Sequence, residues 1–495
     1  MNANAKGEVV MVRCSDIDRT RSLCRRARHA TAALIACSLL SAPHSNSQTN
    51  TCGVTWNAPI RISTDSLPSL GPRVAVSGDT IHLFWFGLDT LGTVAGDGIE
   101  YSHSFDGGST FTSPRSLVSM DTASPPVFIA VSGSYVYAVF PASVDTNFGA
   151  FLLRSSDAGI SWGPVTLLGK GLQPQCIAAS GSIVYVQLIN PRPNVPNAHT
   201  SVRSGDYGAT WTRFNAPALQ AVVPGVNYFH GLSVEASNLS NEIGYYVSEN
   251  FGATWFGPEF LSREDPIPSL LPCLAANEKE NLFAIWNENG TILMRRSKDR
   301  GSSWSSQIEI ASDADAVLSG VCATHEFVSI AWDNTLANGI HFRGSNDFGA
   351  TFCEVDSPYF GAHAGEPAIA ISNNHVHLVC WQEVGGANRE IFYRRGELTD
   401  NPDLSPIPKS YSLRQNYPNP FNGSTMIEYD LAQDSHVRLV VYSVLGQRVA
   451  TLVEGFQPAL HYKIPFEGSE MPTGLYFYQL KTDSFNETKK LLIIR

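Results

Sequence analysis

The sequence predicts an all-β protein built from one small sheet that is repeated along the chain. The 495 residues are 43% hydrophobic and only 16% charged, with 40 Gly and 29 Pro, which suits many short strands joined by turns. An eight-residue motif, Ser-x-Asp-x-Gly-x-Thr-Trp with small variations, also occurs six times. Its starting serines are 51, 49, 44, 49 and 48 positions apart. Self-similarity at this period indicates an array of small sheets that cannot bury their faces alone.

Each residue type of this motif, called the box below, suits a tight hairpin. Asp or Asn accepts hydrogen bonds from nearby backbone N–H groups, and Gly takes the positive φ of the turn. Trp or Phe opens the next strand and brings a large apolar surface to the packing between sheets. We therefore interpret the box as structural. Its acidic or amide residues are Asp106, Asp157, Asp206, Asn250, Asp299 and Asp347.

Three strands precede a box and one follows it. In the first repeat, a strand with small residues at its centre (residues 73–78, RVAVSG) leads to an alternating strand at residues 80–86. Four strands per repeat, with period-two alternation and turn residues between them, are typical of a β-propeller blade.

The last repeat is incomplete, and the start of the chain supplies what it lacks. Residues 366–395 contain three strands without a box, whereas residues 53–56 (GVTW) are the back half of a box and residues 58–63 are the strand after it. We expect this N-terminal strand to complete the last blade, which gives a seven-bladed propeller. Six blades are the alternative, because the fourth repeat, at residues 222–262, is short and has no clear second strand.

The boxes resemble the Asp-box, or bacterial neuraminidase repeat, of sialidases and many other β-propellers. The resemblance implies that the boxes lie on the rim. For a sialidase it also implies three arginines that bind the substrate carboxylate, a Tyr nucleophile activated by Glu, and an Asp acid/base. The Arg-Ile-Pro motif of that family is absent, although Arg73 lies in about the corresponding blade. Five other arginines recur at or just before a box, which favours a structural role: Arg154, Arg203, Arg296, Arg343 and Arg394.

Propeller ligands usually bind at the axis, so polar residues near the innermost strands are candidates for a site. Tyr228 and Glu366 together would supply a nucleophile and its base. For every candidate, the alternative is a hydrated polar residue at the mouth of a channel. The catalytic candidates are Arg73, Tyr228, Glu366 and Asp121, and the binding candidates are His230, Asp265, His363 and Gln175.

The N-terminus has the features of a secretory signal at residues 1–48. Arginines between Arg19 and Arg28 precede an apolar run at residues 30–40, which is too short for a permanent membrane span. We therefore expect no transmembrane segment in the mature protein. Without residues 1–48 the chain has 27 basic and 42 acidic residues, a balance that repels nucleic acid and anionic lipid.

The sequence offers no ligand pattern for a cofactor. It contains no metal-ligand spacing and no phosphate-binding loop, so we expect no cofactor and no metal. A disulfide is compatible with export, but its pairing stays open. Four cysteines lie in apolar strand patterns and are expected to be small buried side chains: Cys176, Cys273, Cys322 and Cys380.

The C-terminal residues differ in character from the repeats. Residues 397–410 form a proline-containing linker between the propeller at 49–396 and a small β-sandwich at 411–495. The stretches QNYPNPFN (415–422), VYSVLGQRVATLV (441–453) and PTGLYFYQL (472–480) resemble the type IX secretion C-terminal sorting domain of type A. The resemblance implies export across the outer membrane by that machinery. It also implies removal of the tail, with release or attachment at the cell surface.

Three functions remain open from the sequence. The first is a secreted or surface-attached propeller that binds a glycan or an extracellular protein without catalysis. The second is an exo-α-sialidase, and the third is a structural adhesin. The missing Arg-Ile-Pro motif favours binding.

Overall fold

The computed structural model shows strands, turns and irregular segments in the part of the chain that it describes. No helix occurs in that part, and so none that could span a membrane. The signal region 1–48, Asp121 and residues 399–409 of the linker lie outside it. The described residues are 54–63, 68–87, 98–118, 126–144, 147–191, 199–225, 228–312, 316–324, 327–334, 339–358, 363–372, 374–385, 388–398, 410–433, 435–457, 461–469 and 471–494.

The described residues 54–398 form seven antiparallel sheets, numbered here along the chain. The chain begins with β1 (Val54–Trp56) and β2 (Ile60–Arg61). Sheet 1 contains β3 (Ser69–Ser77), β4 (Thr80–Gly87), β5 (Gly98–Ser104) and β6 (Arg115–Val118). Sheet 2 contains β7 (Phe128–Ser132), β8 (Tyr135–Val144), β9 (Asn147–Ser155) and β10 (Thr166–Lys170). Sheet 3 contains β11 (Gln173–Ser180), β12 (Ile183–Ile189), β13 (His199–Ser204) and β14 (Thr212–Phe214).

The remaining four sheets repeat this plan with small differences. Sheet 4 contains β15 (Leu219–Pro224), β16 (Phe229–Ala236), β17 (Asn241–Ser248) and β18 (Phe256–Phe260). Sheet 5 contains β19 (Ser269–Ala276), β20 (Leu282–Glu288), β21 (Thr291–Ser297) and β22 (Ile308–Ala311). Sheet 6 contains β23 (Ala316–Thr324), β24 (Phe327–Asn334) and β25 (Gly339–Ser345). Sheet 7 contains β26 (Ala364–Ser372), β27 (His375–Glu383) and β28 (Arg389–Leu398), together with β1 and β2.

Sheet 4 corrects one detail of the sequence interpretation. The fourth repeat has a second strand, β16, which pairs with both β15 and β17. The alternation is hidden in the sequence because Gly231 and two buried polar residues, His230 and Ser233, interrupt the apolar pattern.

Neighbouring sheets pack face to face, and the series returns to its start. Phe84 of sheet 1 shares a cluster with Val136 and Phe140 of sheet 2, and a comparable cluster joins each following pair. Trp85 of sheet 1 packs with Trp381 of sheet 7 in the same way. The first strand of each sheet also contacts the first strand of the next, and β26 contacts β3.

The N-terminal strands join the last sheet. Val54 pairs with Leu398, and Trp56 pairs with Gly396, across more than 300 residues of sequence. Arg61 in β2 donates to the buried carboxylate of Glu390 at 2.7 Å. These contacts fasten the start of the described chain to β28.

The C-terminal strands form two further sheets with one common core. One sheet contains β29 (Ser412–Leu413), β30 (Ser424–Asp430) and β33 (His461–Glu467). The other has the order β32 (Arg448–Gln457), β31 (Ser435–Ser443), β34 (Gly474–Lys481) and β35 (Asn486–Ile493). Ile427 and Tyr429 of the first sheet pack against Leu439, Tyr478 and Leu491 of the second.

The cysteines in the described residues divide into two kinds. Cys353 is disulfide-bonded. Cys176 and Cys380 are buried thiols, as their apolar strand patterns predicted, and Cys273 and Cys322 are half-buried thiols. Burial raises the pKa of Cys176 to about 12, so this thiol stays protonated and unreactive.

Candidate functional site

Each sheet in the repeats has a box end and an opposite end, which we call the inlet end. Box residue Ser104 pairs with Ile81 near the start of β4, and Ser248 pairs with Phe229 at the start of β16. Because the first strand is antiparallel to the second, the first strand begins at the other end of the sheet. The inlet end is therefore the end at which β3, β11 and the other first strands begin.

The first strands are irregular where they begin. The pairing register shifts in β3, β11, β15, β19, β23 and β26, each time near the inlet end. In three of these strands the bulge consists of two unpaired residues, the second of which is Pro. The residue before that Pro has a positive φ: Gly71 at 61°, Leu271 at 55° and Glu366 at 52°. Bulges of this kind redirect side chains and are common next to functional sites.

Glu366 connects three neighbouring sheets at the inlet end. Its Oε2 accepts a hydrogen bond from the backbone N–H of Gly71 in sheet 1 at 3.0 Å. Its own N–H donates to Oδ2 of Asp333 in sheet 6 at 3.3 Å. A left-handed backbone at a glutamate costs on the order of 1–3 kcal/mol and persists only where the surroundings hold it. The conformation of Glu366 is therefore imposed by its neighbours.

The backbone beside Glu366 is closely packed. A Cβ on Gly365 would lie 2.8 Å from Oδ2 of Asp333 and 2.6 Å from the indole ring of Trp381. Arg389 stacks on that indole, with its guanidinium carbon 4.2 Å from the ring centroid. Asp333 was not among the sequence candidates, because it ends an ordinary apolar strand and contacts the site only through the fold.

The other inlet-end candidates lie at the same end of their own sheets. Arg73 donates from its guanidinium to the carbonyl of Pro72 at 2.9 Å, and it is the only arginine on the described first strands. Oε1 of Gln175 is buried and accepts no hydrogen bond from the described residues. His363 is exposed, and Asp265 accepts from the N–H of Ile267 at 2.8 Å within its own loop.

Tyr228 and His230 lie at the box end instead. Arg300, a box residue of sheet 5, lies over the ring of Tyr228 at 5.8 Å from the centroid. His230 is fully buried, and its Nδ1 lies 2.8 Å from the hydroxyl of Tyr245. Glu366, bonded to Asp333 near the inlet end of β24, is at the opposite end of the sheets. The structure therefore does not bring Tyr228 and Glu366 together as a nucleophile and base.

The His230–Tyr245 pair is one of three equivalent pairs that the sequence interpretation missed. His82 lies 2.8 Å from the hydroxyl of Tyr101, and His377 lies 2.7 Å from that of Tyr393. Burial lowers the pKa of His82 and His377 to about 3 and that of His230 to about 4, so all three rings are neutral. The available signal was a histidine inside the alternating second strand, as in IHL (81–83) and VHL (376–378).

The boxes are compact hydrogen-bonded turns. Asp157 accepts bonds from the N–H of Ser161 at 2.8 Å and from its hydroxyl at 2.6 Å. Bonds from Ser161 and Ser155 lower the pKa of the Asp157 carboxyl to about 2. Asn250 replaces the carboxylate by accepting from the N–H of Thr254 and donating its own N–H to the Thr254 hydroxyl, each at 2.8 Å.

Arginines next to the boxes tie one sheet to the next. Arg154 donates to the carbonyl of Tyr207 at 2.8 Å, and Arg296 donates to that of Phe348 at 2.7 Å. Both acceptors belong to the box of the following sheet. These two arginines therefore have the structural role that their recurrence predicted, and they do not converge on the axis.

Residues 415–494 match the family described as "Secretion system C-terminal sorting domain". The C-terminal domain is a type IX secretion sorting domain. The protein is therefore exported, and it is secreted or attached to the outer-membrane surface. No curated protein sequence matches the chain.

Solved structures similar to this chain include β-propellers. A protein of unknown function from Dyadobacter fermentans DSM 18053 is 15% identical, with a TM-score of 0.48 over 70% of this chain and 99% of that chain. The β-propeller domain of the Trilobed protease from Pyrococcus furiosus is 9% identical, with a TM-score of 0.42 over 68% and 99%. Hadza microbial sialidase Hz136 is 12% identical, with a TM-score of 0.38 over 72% and 99%. None of these likenesses argues for an activity.

Proposed function

We propose that the exported protein is a binding propeller that takes a glycan or an extracellular protein at the inlet end and has no catalysis of its own. The propeller comprises residues 49–396, with the seven sheets as blades and the N-terminal strands closing the last blade, and the sorting domain is a β-sandwich at 411–495. The clusters that join each sheet to the next, including sheet 7 to sheet 1, support a closed ring.

The observation that carries the proposal is the group formed by Glu366, Asp333 and Gly71. The Glu366 carboxylate accepts a backbone N–H bond, and the Glu366 backbone is held in a left-handed conformation, so the carboxylate is oriented before any ligand binds. Such preorganisation reduces the entropic cost of ordering the side chain when a ligand binds. Since a carboxylate has about four acceptor positions, one bond to Gly71 leaves Glu366 capacity for ligand donors.

The chemistry of this end favours a ligand that donates hydrogen bonds. The carboxylates of Glu366 and Asp333 are hydrogen-bond acceptors, which suits the hydroxyls of a neutral saccharide. An acidic sugar would meet these carboxylates and the net negative charge of the exported chain. Arg73 is the only arginine on the described first strands, and Arg389 stacks on the Trp381 ring beside Gly365, whereas the sialidase resemblance implies three arginines acting together. The separation of Tyr228 from Glu366 further favours binding over glycoside hydrolysis.

Glycan-array binding by the purified full chain tests the proposal. Glu366→Gln keeps an oxygen for the Gly71 N–H but removes the charge, so we expect affinity for the bound saccharide to fall at least tenfold. The matched control is Glu249→Gln, at an exposed box residue of sheet 4, which should bind like the parent. Equal affinity of Glu366→Gln and the parent would contradict an inlet-end site. Hydrolysis of a fluorogenic α-sialoside by the parent would contradict the absence of catalysis.

A further inference from the structure

The sorting domain exposes an apolar surface at one end of its larger sheet. Side chains alternate along β34, where Tyr476, Tyr478 and Leu480 point into the core, so Leu475 and Phe477 lie on the outer face. The same alternation puts Leu492 of β35 on the outer face, and Leu475 pairs directly with it. Val444, Leu445, Leu475, Leu492 and Ile494 together form what we call the apolar tip.

The apolar tip is exposed to solvent in the folded domain. Val444 is 62% exposed and Leu445 is 80% exposed, although both belong to a well-bonded turn. The N–H of Ser443 donates to the carbonyl of Gln447, and the N–H of Gly446 donates to the carbonyl of Ser443, each at 2.9 Å. An apolar side chain presented on a fixed turn is a common feature of binding surfaces.

Cations border the apolar tip. Tyr442 pairs with Arg448 on one side and Phe477 on the other, and Phe477 pairs with Lys490. These four residues form a row across all four strands of the sheet, with Arg448 and Lys490 exposed at its two edges. A partner that fits this surface needs an apolar cleft with carboxylates at its sides.

The opposite end of the same sheet faces the propeller. His436 and Phe456, at the far ends of β31 and β32, lie beside the Gly181 turn of sheet 3, where an added Cβ would be 3.1 Å from the His436 ring. The apolar tip is therefore the end of the sorting domain that points away from the cargo.

We infer that the apolar tip is the docking surface for a protein component of the type IX export machinery, which holds it in an apolar cleft bordered by acidic residues. The family match requires that the machinery bind this domain, and the tip combines exposed aliphatic side chains with flanking cations. The inference concerns export and is independent of what the propeller binds.

Export of the full chain in a bacterium that has the type IX machinery tests the inference. Leu445→Asn combined with Leu475→Asn should reduce the exported fraction at least tenfold, with the protein retained in the periplasm. Arg448→Glu combined with Lys490→Glu should reduce it at least threefold. Ile160→Asn, at an equally aliphatic and 59% exposed residue of the sheet 2 box, is the control and should be exported like the parent.

Two measurements distinguish other occupants of the tip. Each purified variant should keep the parent's thermal unfolding midpoint, since the changed side chains are at the surface. Normal export of a folded Leu445→Asn, Leu475→Asn variant would overturn the inference. So would light scattering that shows a parental dimer converted to a monomer, or binding to phosphatidylethanolamine vesicles that the variant loses. Those results would assign the tip to a second copy or to lipid.

Discussion

A buried histidine with a tyrosine partner recurs in sheets 1, 4 and 7. In each case the hydroxyl of the tyrosine lies against the box glycine of the following sheet, as Tyr101 does at Gly159 and Tyr393 does at Gly108. The histidine fixes the direction of the hydroxyl, because its Nδ1 is within 2.8 Å of it. Single residues thus couple a strand in one sheet to a turn in the next.

These histidines should make stability depend on pH. Their folded pKa values of about 3 to 4 are below the ordinary value of 6.5, so the unfolded chain binds more protons in that window. The free energy of unfolding therefore rises with pH from the folded pKa of each histidine up to 6.5. Acidification below pH 6.5 should lower it by roughly 1 kcal/mol per histidine for each pH unit. Urea unfolding at pH 7, 5.5 and 4.5 measures the slope.

His377→Asn should reduce the dependence of the free energy of unfolding on pH by the contribution of one histidine, roughly 1 kcal/mol for each pH unit. It also removes the bonds to Tyr393 and Ser372, so its stability at pH 7 should be lower than that of the parent. His363→Asn changes an exposed ring and is the matched control. Identical slopes in both variants and the parent would contradict the assignment of the pH dependence to the buried ring.

At the scale of the element, the box glycines combine a turn with a contact between sheets. Gly301 has a φ of 83°, and a Cβ there would clash with the hydroxyl and ring of Tyr245 in sheet 4. Gly133 in the β7–β8 turn also has a positive φ, 59°, but nothing lies within 4 Å of an added Cβ. Both glycines therefore have a left-handed backbone, but only Gly301 has neighbouring atoms where a side chain would lie.

Alanine substitutions should separate these two effects. Gly133→Ala should lower the free energy of unfolding by roughly 1 kcal/mol, the cost of a left-handed alanine. Gly301→Ala adds overpacking against Tyr245 and should cost about 3 kcal/mol in total. Chemical denaturation of the two variants measures both costs. Equal losses would mean that the contact with Tyr245 does not limit the spacing of sheets 4 and 5.

At the scale of the whole molecule, the N-terminal strand is held in place through Trp56. Its indole N–H donates to Asp356 at 2.9 Å, and its ring meets Phe342 of sheet 6 edge to face at 5.1 Å. Gly396 lies under the same ring, where an added Cβ would be 3.0 Å from it. Trp56 therefore joins the N-terminal strand to sheets 6 and 7 at once.

Truncating Trp56 should destabilise the propeller as a whole. Trp56→Ala should lower the free energy of unfolding by about 3–5 kcal/mol, since it leaves a cavity between two sheets. Trp56→Phe keeps most of the packing and loses the bond to Asp356, so it should cost about 1–2 kcal/mol. Unfolding followed by tryptophan fluorescence and by circular dichroism compares them. A parental stability for Trp56→Ala would show that the N-terminal strand is dispensable for closure.

The group formed by Glu366, Asp333 and Gly71 shows which residues the sequence could identify and which it could not. Glu366 and Arg73 could be chosen because they stand next to strands with recognisable small residues. Asp333 could not, because it reaches Glu366 only through the packing of sheet 6 on sheet 7. The candidates Tyr228 and His230 were grouped with Glu366, but the structure puts them at the other end of their sheet, since β16 begins where the box lies.

The sequence by itself determined the repeated box, the all-β class and the sorting domain. These depend on hydrogen bonds and turn chemistry within about eight neighbouring residues, or on motifs in fixed order, so they can be predicted without knowledge of the tertiary structure. The tertiary structure alone decided which polar side chains meet. That outcome depends on the register of paired strands, and each bulge at the start of a first strand turns the following side chains to the other face. Residues as far apart as Gly71 and Glu366 become partners only after the sheets have packed.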